Sequence, residues 1–202
     1  MEKLIEGYRR FRAEVWPAER DRYEALAKRG QNPDTMIVSC SDSRVDPQTV
    51  FGAGPGEMFV LRNVAGLVPP YSPDTGYHGT SAALEYAVRV LKVARIVVLG
   101  HAQCGGVQAL VQGAPKEAAD FVQPWMELAA PVMRSVPAGL AGDELLAHCE
   151  NRVVGLSLDN LMSFPWIADA VNEGRLRLYG YKFGVKNGVL ARIDGDRLVP
   201  VE

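Results

Sequence analysis

The sequence predicts an α/β fold: a mixed, mostly parallel central sheet with flanking helices, a protruding N-terminal helical arm and antiparallel strands at the C-terminal edge. Short apolar runs at 36–38, 58–61 and 96–100 are typical of buried strands. Helical spacing of apolar residues between such runs favours strands joined by helices, and therefore a parallel arrangement. Asn187-Gly188 lies between two apolar stretches, which is the strongest short hairpin signal and predicts the antiparallel edge.

The chain begins with an amphipathic helix. Its apolar residues recur every three or four positions: Leu4, Tyr8, Phe11 and Val15. Pro17 is expected to interrupt this helix, and a second helical piece should end near Gly30. The apolar stripe needs a cover, which is either the chain's own core or a second subunit.

The first strand is expected to end at Cys40. Asp46-Pro47 then signals the start of a short helix, with the aspartate as its cap and the proline in the first position. Glycines break the chain before the second strand at 58–61, and residues 63–78 are expected to form a loop.

A helix is predicted over residues 80–91, leading into the strand that ends at Gly100, so that this part of the chain forms a right-handed βαβ unit. Alanine and proline crowd residues 113–142, which are expected to form an irregular surface excursion. Asp143 is expected to cap a long helix that follows. Residues 176–179 alternate like a strand.

Composition indicates a soluble globular protein with no nucleic-acid partner. Of the 202 residues, 23% are charged and 48% hydrophobic, and the net charge is only −2. No apolar run approaches the roughly 18 to 20 residues of a membrane span, and residues 1–30 are too charged for a secretory signal, so a cytoplasmic location without a membrane partner is expected. Three cysteines are an odd number, which favours a metal over a disulfide framework, with Cys149 a buried thiol.

Potential metal ligands follow two of the predicted strands. Cys40 ends the first, and His101 and Cys104 follow the run that ends at Gly100. Two thiolates and an imidazole suit zinc, and three protein ligands leave a coordination position open for water, as catalytic zinc sites do. Soft sulfur ligands disfavour magnesium, calcium and manganese. The alternatives are two buried thiols beside a core histidine, or a cysteine hydrolase, for which the second thiol is unnecessary.

Asp42 and Arg44 stand two residues apart beside Cys40. They could form a charge-assisted, even bidentate, contact next to the open metal position. The alternative is an ordinary surface ion pair, which contributes about 0 to 1 kcal/mol.

The chain resembles the β-class carbonic anhydrases over most of residues 35–110. The matching segments are Cys40 to Arg44, Gly56-Glu57, Phe59, Arg62 to Ala65, Glu85 to Val88, and Gly100 to Gly106. The resemblance implies one Zn²⁺ per chain, held by Cys40, His101 and Cys104, and the reversible hydration of carbon dioxide to bicarbonate and a proton. It also implies that Asp42 either closes the site as a fourth ligand or pairs with Arg44 and leaves the metal open to water.

The same resemblance extends to the substrate and the assembly. It implies a small apolar pocket for carbon dioxide, with four candidate residues: Phe59, Val64, Tyr86 and Gly105. It favours a homodimer or homotetramer, in which residues 1–30 form a dimerisation arm and residues 31–202 a single zinc-binding α/β catalytic domain. His78 is a candidate proton shuttle if its loop lines the cleft.

The resemblance is incomplete at three positions. Gly54 and Gly66 stand where some members carry a substrate-binding glutamine and an asparagine, so substrate contacts are expected to differ. Ile37 replaces a tryptophan of the bicarbonate-regulated members. Two other functions remain open: hydration or hydrolysis of a related small substrate such as carbon disulfide, and a non-catalytic zinc module in which the metal only stabilises the structure.

Overall fold

A computed structural model describes residues 1–195 and 197–202. Its core is a six-stranded sheet in the order β2-β1-β3-β4-β5-β6. The strands are β1 (Thr35–Cys40), β2 (Met58–Asn63), β3 (Arg95–His101), β4 (Arg177–Phe183), β5 (Leu190–Asp194) and β6 (Arg197–Pro200). Strands β2, β1, β3 and β4 run parallel, whereas β5 and β6 add antiparallel pairs at one edge. The predicted mixed, mostly parallel α/β fold is therefore confirmed.

Helices flank the sheet, and the first two helices form the N-terminal arm. They are α1 (Glu2–Arg10), α2 (Trp16–Arg29), α3 (Pro47–Phe51), α4 (Gly79–Glu85), α5 (Gly105–Gln112), α6 (Val122–Glu127), α7 (Ala130–Arg134), α8 (Gly142–Leu161) and α9 (Pro165–Asn172). Within the described ranges, no helix is both long and apolar enough to cross a membrane.

The N-terminal arm does not break at Pro17 as the sequence suggested. Phe11–Val15 form a π-helical stretch that joins α1 to α2, and Pro17 lies in the first turn of α2. A proline has no N–H to donate, and it lies where the hydrogen-bond pattern changes from π-helical to α-helical. Arg22 anchors α2 by donating hydrogen bonds to the Pro55 carbonyl and to Glu57, and a side chain at Gly54 would collide with its guanidinium.

Both faces of the sheet bury apolar side chains. Met36, Val38, Ile96 and Val98 point to a cluster shared with the helices that follow, and the alternate residues Ile37, Val97 and Leu99 form a second cluster on the opposite face. Alternation along each strand produces this division, because successive side chains point to opposite sides.

Residues 113–142 are more regular than predicted. Helices α6 and α7 form within this segment, and Met126, Ala129 and Val132 are buried in a cluster with Cys149 and Val153 of α8. Proline composition suggested irregular structure, but the prolines of α6 and α7 lie in first turns, where the helix tolerates them. The apolar residues between them supply the packing that stabilises these short helices.

Local turn and cap signals were partly correct. Asp46 caps α3, since its Oδ2 accepts a hydrogen bond of 2.9 Å from the Thr49 backbone N. The hairpin between β4 and β5 is also confirmed, with the Gly184 N–H donating to the Val189 carbonyl at 2.8 Å. Asp143, however, is not a cap: Ala141 occupies that position, and Asp143 lies in the first turn of α8. There its charge still favours the positive end of the helix dipole.

Candidate metal centre

Three potential ligands meet at the carboxyl ends of the neighbouring strands β1 and β3. Cys40 is the last residue of β1, His101 is the last residue of β3, and Cys104 immediately precedes α5. Their ligand atoms all lie within 4.8 Å of one another, and the two Sγ atoms are 3.9 Å apart. Among the residues that the structure describes, they form the only such group of His, Cys, Asp and Glu, and all three are buried.

The orientation of His101 fits a metal ligand. Its Nδ1 lies 2.9 Å from the Ala102 carbonyl oxygen, to which it can donate a hydrogen bond. That bond selects the tautomer whose Nε2 carries a free lone pair. Nε2 is buried and has no hydrogen-bond partner. A buried polar atom without a partner is costly, and a cation held between this nitrogen and the two thiols would satisfy it.

Asp42 and Arg44 form a bidentate pair at the mouth of this cluster. Arg44 donates from Nε to Oδ1 at 3.0 Å and from Nη2 to Oδ2 at 2.7 Å. Its Nη2 also donates to the carbonyl of Gln103, next to Cys104, at 3.0 Å. Asp42 Oδ2 is 3.9 Å from His101 Nε2. The carboxylate is therefore turned towards the guanidinium while remaining beside the ligand cluster.

A match to the carbonic anhydrase family model covers residues 35–190, well over half of the chain. The chain belongs to the β-class carbonic anhydrase family. A carbonic anhydrase of Synechococcus elongatus is 34% identical over 96% of this chain and 71% of its own length, and one of Pseudomonas aeruginosa is 36% identical over 96% and 88%. Membership identifies the chain as an enzyme, a lyase, and hydration of carbon dioxide is the family's general reaction.

Solved structures agree with this assignment. The β-carbonic anhydrase CcaA superposes with a TM-score of 0.93 at 31% identity, covering 100% of this chain and 99% of that one. Tetrameric β-carbonic anhydrases of Sordaria macrospora superpose with a TM-score of 0.83 at 27% identity, with 95% of each chain covered. The family resemblance and the fold inferred from the sequence are both confirmed.

Electrostatics in this carbonic anhydrase favour one thiolate before any metal is considered. The hydrogen bond with Cys104, and after it the nearby His101 imidazole, lowers the pKa of Cys40 against the effect of burial. The pKa of Cys104 is raised, chiefly by its hydrogen bond with Cys40, then by burial and by the negative charge on Cys40. Burial works to lower the pKa of His101, but the neighbouring Cys40 raises it overall. A divalent cation would supply the charge needed to ionise both thiols.

The pKa of the Asp42 carboxyl lies well below its usual range, chiefly because Arg44 donates hydrogen bonds to it. Asp42 is therefore a carboxylate at every pH of interest. Such a group can accept a hydrogen bond from water at the neighbouring metal position.

The structure separates the four residues suggested for the substrate pocket. Val64 follows β2 and packs with the buried cluster that contains Cys40 and Cys104, and Gly105 opens α5 with empty space where a side chain would point. Phe59 pairs in register with Met36, four residues before Cys40, which corresponds to about 13 Å along the strand. Its ring contacts Tyr86, 5.9 Å away, far from the ligand end of β1. His78 pairs with Asp74 on an exposed loop.

Sequence reasoning gave no role to Arg62, which stabilises the backbone that carries the site. Its guanidinium donates to the carbonyls of Cys40 at 3.0 Å, Asp42 at 2.7 Å and Val45 at 3.0 Å. These bonds hold the segment that carries both Cys40 and Asp42. The signal that could have revealed it is its place in the Arg62 to Ala65 run shared with the family.

A buried ion pair was missed altogether. Glu150 of α8 lies 2.7 Å from Lys182 of β4, and it accepts a hydrogen bond from the Cys104 backbone N at 3.1 Å. No motif in a single sequence marks either residue.

Proposed function

We propose that the chain catalyses the reversible hydration of carbon dioxide to bicarbonate and a proton with one Zn²⁺ held by Cys40, His101 and Cys104. The observation that carries this proposal is the buried, unpartnered Nε2 of His101 beside two thiols 3.9 Å apart. Two sulfurs and one imidazole nitrogen form a donor set that zinc prefers. When bound, zinc supplies the Lewis acidity that makes water a nucleophile near neutral pH.

Asp42 and Arg44 are the proposed catalytic residues. Arg44 holds Asp42 as a carboxylate that does not occupy the metal position, and the Gln103 carbonyl in turn holds Arg44. The free lone pairs of Asp42 can accept a hydrogen bond from water and so orient its oxygen towards carbon dioxide. Asp42 lies only 3.9 Å from His101 Nε2, so a modest turn of its side chain would instead bring it to the metal as a fourth ligand. This pair also argues against a purely structural zinc module, which has no need of it.

The substrate pocket is proposed to be apolar, because carbon dioxide is small and uncharged. Val64 and Gly105 lie on the ligand side within one chain. Phe59 and Tyr86 contribute only if a second subunit brings them to the site, and Tyr86 is 45% exposed in the single chain.

A homodimer or homotetramer built with residues 1–30 as the dimerisation arm accounts for the exposed stripe of α1. None of the α1 residues is buried, and Leu4 and Tyr8 are 73% and 60% exposed. Such apolar exposure on a helix indicates an interaction surface. The rest of the chain, residues 31–202, would form a single zinc-binding catalytic domain. The three unpaired cysteines fit a reducing compartment, and we propose the cytoplasm.

Metal analysis and stopped-flow kinetics test the function together. Cys40→Ser and Cys104→Ser should lose zinc and carbon dioxide hydration, because each removes a thiolate ligand. Cys149→Ser is the matched control, since Cys149 is equally buried but its Sγ contacts Met133 and does not belong to the ligand group, and it should keep both properties. A chelator should abolish wild-type activity, and added zinc should restore it. Full zinc occupancy in both ligand variants would defeat the assignment.

A further inference from the structure

A charged pair is buried beside the candidate metal centre without belonging to it. Glu150 and Lys182 are only 4% and 8% exposed, and their Oε2 and Nζ atoms are 2.7 Å apart. Burying a charge costs desolvation free energy, which only good pairing and hydrogen bonding can offset. Each partner makes one further bond: Lys182 Nζ donates to the Ala147 carbonyl at 3.3 Å, and Glu150 Oε1 accepts from the Cys104 backbone N at 3.1 Å.

Close packing of α8 on the sheet brings this pair to the site. A Cβ atom at Gly100 would come within 2.6 Å of Val154 Cγ2, so the helix can approach β3 this closely only because position 100 lacks a side chain. Val154 and Glu150 are four residues apart and therefore share one face of α8. Lys182 pairs in register with Gly100 on the adjacent strand. The pair thus joins α8, strand β4 beside the end of β3, and the peptide of Cys104.

We propose that Glu150 is a positioning residue of the metal centre and that Lys182 holds it in place. The Cys104 N–H stands at the start of α5, where backbone donors lack helical partners, and Glu150 satisfies it. This bond fixes the peptide plane from which the Cys104 side chain projects, and therefore the separation of the two sulfurs. Because the ion pair is neutral as a unit, it orients the ligand without adding net charge beside two thiolates. The inference rests on the proposed zinc site.

Two double variants separate the hydrogen bond from the charges. Glu150→Leu with Lys182→Met removes the acceptor and leaves no unpaired buried charge, a replacement that proteins often tolerate. Glu150→Gln with Lys182→Met also removes both charges but keeps a carbonyl oxygen that can accept from the Cys104 N–H. Ser157→Ala is the control: Ser157 lies on the same helix, is fully buried and accepts a hydrogen bond from the Val68 backbone N at 3.1 Å, away from the ligands.

Two readouts besides activity report on the site. The first is zinc affinity, measured by competition with a chelator of known affinity. The second is the absorption spectrum of the Co²⁺-substituted protein, whose sulfur-to-metal charge-transfer bands respond to the placement of both thiolates. The Leu/Met variant should bind zinc about 10 to 100 times more weakly and shift these bands. The Gln/Met and Ser157→Ala variants should keep the wild-type spectrum and an affinity within about threefold of wild type.

Several results would overturn the positioning role. One is a Leu/Met variant with wild-type spectrum and affinity, which would make the pair a purely structural ion pair. Another is a Gln/Met variant that loses affinity about tenfold or more, and this measurement decides the matter alone if the Leu/Met variant does not fold. An equal loss in Ser157→Ala would indicate general destabilisation. Wild-type protein that binds neither metal would instead refute the proposed zinc site itself.

Discussion

Replacing Arg62 should damage the site without touching any proposed ligand side chain. Arg62→Met keeps much of the apolar stem but removes three hydrogen bonds to the carbonyls of Cys40, Asp42 and Val45. A hydrogen bond from a charged donor contributes about 1.5 to 3 kcal/mol. The Arg62 side chain is 30% exposed and the freed carbonyls can gain water, so the low end of that range applies. At about 1.5 kcal/mol for each of the three bonds, the free energy of unfolding should fall by about 4 to 5 kcal/mol.

Activity should fall as well, because the segment held by Arg62 carries both a ligand and the catalytic carboxylate. We expect a loss of about 10 to 100 times in carbon dioxide hydration, in line with other residues that support metal ligands. Arg62→Lys should recover only part of the stability and activity, since an ammonium lacks the planar fork that reaches three carbonyls at once.

Urea unfolding at fixed protein and zinc concentrations, with stopped-flow hydration rates, measures both effects. Arg89→Met is the matched control, because Arg89, in the π-helical stretch 86–90 that continues α4, makes an exposed ion pair with Glu85 that contributes about 0.5 kcal/mol or less. If Arg62→Met unfolds like this control and retains wild-type rates, Arg62 does not support the site.

Three further predictions concern other parts of the chain. Arg44→Ala should retain zinc but lose most activity, because Asp42 loses the partner that keeps it off the metal. Asp42→Asn should retain zinc and lose activity, because it lacks the carboxylate that accepts a hydrogen bond from water. Wild-type hydration rates in Arg44→Ala would contradict the pairing role. Deletion of residues 1–28 should lower the oligomeric state measured by sedimentation. An unchanged oligomeric state would show that the arm does not hold the subunits together. Burial raises the pKa of Cys149, so its reactive thiolate should be scarce at pH 8; alkylation monitored by mass spectrometry should be slow in the native protein and fast in urea.

Much of the fold could be predicted because its signals are local. The apolar runs that became β1 and β3 each end beside a ligand, and parallel neighbouring strands bring Cys40 and His101 to the same sheet edge. The hairpin at Asn187-Gly188 needed only two residues to be recognised. Local signals were misleading where a proline lies in the first turn of a helix and does not interrupt it. Pro17 lies in the first turn of α2, and α6 and α7 form within residues 113–142 despite their prolines.

By itself the sequence determined the family, the set of soft ligands and the order of the motifs along the chain, because these depend on residue types at short spacings. Only the tertiary structure decided what supports them. Arg62 reaches three carbonyls across a loop, Glu150 meets Cys104 from a helix 46 residues away, and Phe59 lies at the far end of its strand from the ligands. Such contacts depend on how closely α8 packs on the sheet at Gly100 and on strand register, and both are set by the combined packing of distant segments.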